Sequence, residues 1–135
     1  MPDLKYVQEW IAFSVRDYEV SLHLYQTFNP TPAGNICFGC QQAVEKALKA
    51  ILVYNDTEIP KTHDISKLNT LCREYTDKLE IDTKIARKLT SFASESRYPD
   101  SVFEFTQEDA EFGLKHAKIV LDKVKEILNL PCGND

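Results

Sequence analysis

Between Cys37 and Leu52 the apolar positions Ala43, Val44, Ala47, Leu48, Ala50 and Ile51 recur three and four residues apart, laying one wide apolar stripe along a helix. The alanines leave room for close neighbours, so this segment is predicted to be the central buried helix. Its remaining face carries Gln41, Gln42, Glu45, Lys46 and Lys49, with Glu45 four residues before Lys49 in the favourable acid-first order. That edge is either solvated surface or the lip of a site.

Upstream, Leu4 to Phe28 contains no Gly or Pro. Apolar residues fall at Tyr6, Trp10, Phe13, Val20 and Leu24, and again at Val7, Ile11, Tyr18, Leu22 and Tyr25; two adjacent stripes predict a long helix with one wide buried face. Ser14 and Ser21 are small enough to let another helix approach closely. Asp17 lies near the Trp10 side, where an unpaired carboxylate is costly, so it either stays wet, as most Asp do, or finds a partner. Asn29 to Asn35 holds two prolines and a glycine and ends this helix. Asn35 is placed to cap the second, and so short a connection predicts antiparallel neighbours.

After Tyr54 a polar, proline-interrupted loop leads to Thr62-His63-Asp64, which opens a short third helix with Ile65, Leu68, Leu71, Cys72 and Tyr75 on its apolar side. Thr62 or Asp64 supplies the cap. Asp82 begins a fourth helix carrying Ile85, Ala86, Leu89, Phe92 and Ala93, stopped at Pro99. Thr106-Gln107-Glu108-Asp109 is a capping signature for a fifth helix, striped by Ala110, Gly113, Leu114, Ala117, Val120, Leu121, Val124 and Leu128 and ended by Pro131. No segment alternates with period two. The expectation is an all-α, up-and-down helical bundle of four main helices plus one short helix.

Composition narrows this picture. With 135 residues, 43% of them hydrophobic and 27% charged, the chain fits a single domain over 1–135 with a frayed tail at about 131–135. A formal net charge of −5 argues against a protein built mainly to grip nucleic acid non-specifically, while leaving room for a local basic site. No apolar run suffices for a membrane span, and Met1-Pro2-Asp3-Leu4-Lys5 lacks the features of an export signal, so a cytoplasmic location is expected. The four cysteines are then reduced thiols. Cys37 and Cys40 form a C-x-x-C without a second ligand pair at zinc spacing, and are read as small core residues; no metal or cofactor is expected.

Several separate motifs then resemble one family. Cys37-Phe38-x-x-Gln41-Gln42-Ala43-Val44-Glu45-Lys46-Ala47-Leu48-Lys49-Ala50, followed by Thr62-His63-Asp64-Ile65 with Leu68, then Arg97-Tyr98-Pro99-Asp100, with Trp10 and Asp17 in the first helix, are similar to the HEPN domain, the "higher eukaryotes and prokaryotes nucleotide-binding" domain. The resemblance runs from about Trp10 to Ala117. It implies an up-and-down bundle that commonly forms a two-fold homodimer, and small prokaryotic members often accompany a nucleotidyltransferase, some as toxin and antitoxin. Many members are metal-independent RNA endonucleases using Arg, four to six residues, then His, across the dimer cleft.

This chain departs from that pattern. Counting from Arg97, the histidine positions hold Val102, Phe103 and Glu104. Arg16 and His23 satisfy the spacing formally, but inside the first helix and far from the motif position. The resemblance therefore implies first a non-catalytic or degenerate module that binds a nucleotide, RNA or a nucleotidyltransferase partner. The candidate contacts are Arg97, Tyr98, Lys46, Lys49, Gln42 and Asp17: Arg97 for a phosphate, Tyr98 for stacking, the lysines for added positive charge. The alternatives are an RNA-cleaving toxin using Arg97 with a substitute acid or base, Glu104, Asp100 or His63, and a purely structural dimerisation module. In the bland readings Arg97 pairs with Asp17, Glu95 or Asp100, and His63 is a cap-region residue with its ring packed under the loop.

Overall fold

The computed structural model describes residues 2–94 and 104–130, and within them five α-helices and no strand. They are α1 (Leu4–Thr27), α2 (Ala33–Tyr54), α3 (Ile65–Cys72), α4 (Thr83–Ser94) and α5 (Gln107–Ile127). The segment containing Glu95, Arg97, Tyr98, Pro99, Asp100, Val102 and Phe103, and the tail from Pro131 on, lie outside the described residues, and so do the expectations attached to them.

α2 is the axis of the bundle, packing against each of the other four helices. Ala43, Ala47, Leu48 and Ala50 are fully buried, because small and branched residues at helical spacing let neighbours close in from several sides. α1 makes its most extensive contact with α2 through Val7, Ile11, Ser14 and Ser21. The two serines set the distance. Ser14 Oγ donates to the Ala43 carbonyl at 2.6 Å, and a Cβ on Gly39 would stand 2.1 Å from Ser21 Oγ, so backbone rides close to backbone.

That close approach corrects the expectation of one wide buried face on α1. Turned to present its serines, the helix leaves Tyr6, Phe13 and Val20 exposed at 43%, 55% and 53%. A face chosen for close contact is narrower than one chosen by apolar character alone.

The helix ends follow local chemistry. Asp64 caps α3 by accepting from Lys67 N–H, and Thr106 and Asp109 form a reciprocal capping box on α5. Asn35 does not cap α2, which starts earlier, behind Pro32, with no side-chain cap. α3 stops at Cys72, leaving Tyr75 beyond it and half exposed. α2 and α5 finish in Schellman turns: Asp56 and Asn129 take φ of 56° and 60°, and Thr57 N–H and Leu130 N–H reach back to the carbonyls of Leu52 and Lys125. The stop of α5 is thus complete at Asn129, ahead of Pro131.

Cys37, Cys40 and Cys72 are buried in the core, where desolvation first of all pushes each thiol up to about 12. Among the described residues no helix is long and apolar enough to cross a membrane.

Candidate functional site

The polar edge of α2 is not a solvated face. Gln41, Glu45 and Lys49 are at most 7% exposed although they lie on the side away from the alanine stripe. What covers them is the loop entering α3. Gln41 Nε2 donates to the His63 carbonyl at 3.1 Å and to Glu45 Oε1 at 3.1 Å, and Gln42 Nε2 donates to Gln41 Oε1 at 2.8 Å.

Glu45 is the hub. Its Oε2 accepts from Lys49 Nζ at 2.7 Å and its Oε1 meets His63 Nδ1 at 2.8 Å. Burial alone would raise this carboxyl, but hydrogen bonds from Lys49, His63 and Gln41, with the Lys49 charge, outweigh it and hold the group below its ordinary value of 4.5. Glu45 is therefore ionised near neutrality and can only accept. His63 Nδ1 must then carry the proton in that bond, with Nε2 as the ring's other nitrogen. The His63 side chain is 71% exposed, and among the described residues nothing bonds to Nε2. The ring is not packed under the loop; it is pinned at one nitrogen and presented to solvent at the other.

A second cluster lies one turn away. Lys46 Nζ bonds Asp17 Oδ2 at 2.6 Å and sits 5.9 Å from the centre of the Phe13 ring. Asp17 thus has the partner that its position near Trp10 called for, and that partner is a lysine. Both α2 lysines are tied to carboxylates, which corrects the expectation that they supply free positive charge: each ammonium is neutralised where it stands.

Beside His63, the first turn of α3 rests on α4. Ile65 N–H donates to Thr90 Oγ1 at 2.9 Å, and Asp64, Ser66, Arg87, Thr90 and Ser91 line an open groove of about 430 Å³. Arg87 is exposed and has no ion-pair or hydrogen-bond partner among the described residues. Sequence reasoning passed over Arg87, and marked Gln41 and Glu45 only as part of a polar edge that could be solvated surface or the lip of a site. The available signal was Gln41 and Glu45, polar groups on a helix whose neighbours are nearly all core-forming; Arg87 had none, because only the fold brings α4 to α3.

The remaining candidates lie apart. Glu104 is exposed ahead of α5, and among the described residues no hydrogen bond or ion pair joins it to this cluster. Arg16 and His23 both lie on α1, about 10 Å apart along its axis at the usual rise per residue. His116 stacks near Phe112, with ring centres 4.4 Å apart, beside a mostly apolar cavity of about 210 Å³ under Leu79, Ile81, Ile85 and Val120. No cluster of three or more metal-ligating side chains occurs among the described residues.

Comparison with known proteins supplies the family. A model of the HEPN domain matches residues 7–127. A Methanocaldococcus jannaschii protein named "Putative toxin MJ1304" is 31% identical over 93% of this chain and 90% of its own. The crystal structure of TT1696 from Thermus thermophilus superposes with a TM-score of 0.71 at 21% identity, covering 89% of this chain and 96% of that one, which speaks for the fold. ST0689, described as an archaeal HEPN homologue, superposes with a TM-score of 0.64 at 27% identity over 90% of this chain and 97% of its own. With the Gln41-Gln42-Glu45-Lys49 edge and Thr62-His63-Asp64 in place on the matching bundle, this chain belongs to the HEPN domain family.

Proposed function

We propose that this chain is a toxin-like HEPN module that binds single-stranded RNA or its nucleotide unit, and that a nucleotidyltransferase partner restrains it. One observation carries the reading: a buried carboxylate holds the His63 ring with Nε2 outward, next to a groove whose guanidinium, Arg87, has no partner among the described residues. A surface serving only assembly has no use for an oriented imidazole, and a phosphate ligand fits an uncommitted guanidinium. The family membership and the 31% identical relative named as a toxin support the toxin-like part. The nucleotidyltransferase part rests on the family resemblance alone.

A homodimer belongs to the same proposal. Tyr6, Phe13 and Val20 repeat at seven-residue spacing and are exposed, the pattern of a helix seam awaiting an equivalent helix. The lead experiment is fluorescence anisotropy with a labelled RNA oligonucleotide carrying 2′-O-methyl groups throughout, read for wild type and Arg87→Ala. Salt-sensitive binding that the substitution weakens supports the proposal; no binding at low salt removes it. Co-expression with a minimal nucleotidyltransferase, followed by pull-down, tests the partner.

A further inference from the structure

We infer that the cavity between α4 and α5 is a binding site for a small amphiphile: an apolar ring system or short chain seated inside, and a single carboxylate met at the mouth by Lys78 and Lys123.

The walls come from three pieces of chain. α4 packs chiefly on α2 and α3, which leaves a gap toward α5 at its N-terminal end. Ile85 closes that gap from the first turn of α4, His116, Ile119 and Val120 from α5, and Leu79 and Ile81 from the connection between α3 and α4. Together they enclose about 210 Å³. Close-packed interiors leave few voids larger than a water molecule, and a dry aliphatic cavity of about 150 Å³ already holds benzene. The space here therefore takes a body somewhat larger than one ring. Leu79 and Val120 are buried at its sheltered end, whereas Ile119 is 52% exposed. An apolar body seated there covers that isoleucine, and the area removed from water supplies the affinity.

The charges select the other end of the ligand. Of the charged side chains that line the cavity, the acids are already engaged: Asp82 Oδ1 accepts from Lys84 N–H at 2.8 Å where α4 begins, and Glu80 Oε1 faces Arg73 at 3.4 Å. The lysines are freer. Among the described residues the Lys78 ammonium has no hydrogen-bond or ion-pair partner, and Lys123 reaches Glu126 only at 3.6 Å, too long for a hydrogen bond. His116 adds a ring N–H without a charge, because burial, and then the neighbouring Lys115, hold it below its ordinary 6.5. One anionic group is matched by this rim. A nucleotide fits worse, since a phosphate chain would meet Glu80 and Asp82 as well as the lysines, and a hydroxylated sugar would lose water against aliphatic walls without gaining hydrogen bonds. The cavity shares no lining residue with the α3–α4 groove, so the inference stands apart from the RNA-binding reading.

The test titrates the full chain by calorimetry with sodium octanoate and with sodium indole-3-acetate, each beside its uncharged amide. At least one carboxylate is expected to bind once per chain with a Kd on the order of 0.1–1 mM, the range that ligands of this size reach. It should bind roughly 3- to 10-fold more tightly than the matching amide, as one charge-assisted contact at an exposed rim implies. Octanoate as the tighter ligand assigns a chain to the cavity, and indole-3-acetate assigns a ring. Lys78→Met with Lys123→Met should remove the carboxylate's advantage and leave amide binding unchanged. Ile85→Trp, which fills the space, should abolish binding of both, with a circular dichroism melt to verify its fold; if it does not fold, the lysine variant and the amides still decide. Amide-resolved NMR should place the largest shifts at Leu79, Ile85 and Val120.

No saturable binding of either carboxylate at concentrations well above that Kd overturns the inference. So do an amide that binds as tightly as its acid, a lysine variant that keeps the preference, and shifts centred on another face of the bundle.

Discussion

Glu45 shows how one buried charge becomes both stabilising and vulnerable. Removing it as Glu45→Ala strands the ammonium of Lys49, whose side chain is 9% exposed, and is expected to cost about 3–5 kcal/mol in urea unfolding. Replacing both residues with apolar ones of similar volume, Glu45→Leu with Lys49→Met, should cost less than Glu45→Ala alone, because no orphaned charge remains. Because the folded-state carboxyl sits below its ordinary 4.5, its stabilising contribution is complete above that value and disappears as pH falls through the folded value. The melting-temperature gap between wild type and Glu45→Gln should therefore narrow on acidification below about pH 4.5, a trend calorimetry would read directly. The sequence hinted at this pair through the four-residue spacing of Glu45 and Lys49. It could not show burial, since the groups that cover the pair, His63 and its loop, come from 18 residues downstream of Glu45.

Among the helices, the α1–α2 contact turns on a single oxygen. A methyl added by Gly39→Ala meets Ser21 Oγ at 2.1 Å, whereas the Ser21 Cβ and the Asp17 carbonyl stand at an ordinary 3.5 Å. Gly39→Ala alone should destabilise the protein. Combined with Ser21→Ala it should regain that loss and approach the gain of about 0.5–1 kcal/mol that alanine has over glycine within a helix, a positive coupling measurable as a double-mutant cycle. The number, order and type of helices were legible because α2 and α5 carry unbroken apolar stripes and the capping box of Thr106 and Asp109 is spelled out locally. The rotation of α1 was not, because Tyr6, Phe13 and Val20 are as apolar as Val7 and Ile11. Only the partner surface, with its serine-sized gap, decides between the two stripes.

At the scale of the whole molecule, that displaced stripe is what the proposed pairing would use. Light scattering should give twice 15.5 kDa for wild type, and Val20→Glu, at a position 53% exposed and so harmless to the monomer, should return the mass to 15.5 kDa with an unchanged melt. An unaltered dimer in that variant would move the seam elsewhere. The functional site was legible in part. His63 and the polar edge of α2 stood out as residues, but the sequence offered no reason to link Arg87 with them, since the groove exists only where α3 leans on α4. The Arg97-Tyr98 corner, with the most suggestive motif, lies outside the described residues.

The sealed thiols have a practical corollary. With ionisation displaced to about 12 for Cys37, Cys40 and Cys72, a maleimide meets almost no thiolate while the bundle stays shut. In a Cys132→Ser background, the pace of triple labelling would serve as a clock for spontaneous opening, and any RNA or partner that clamps the helices together would make that clock run slow.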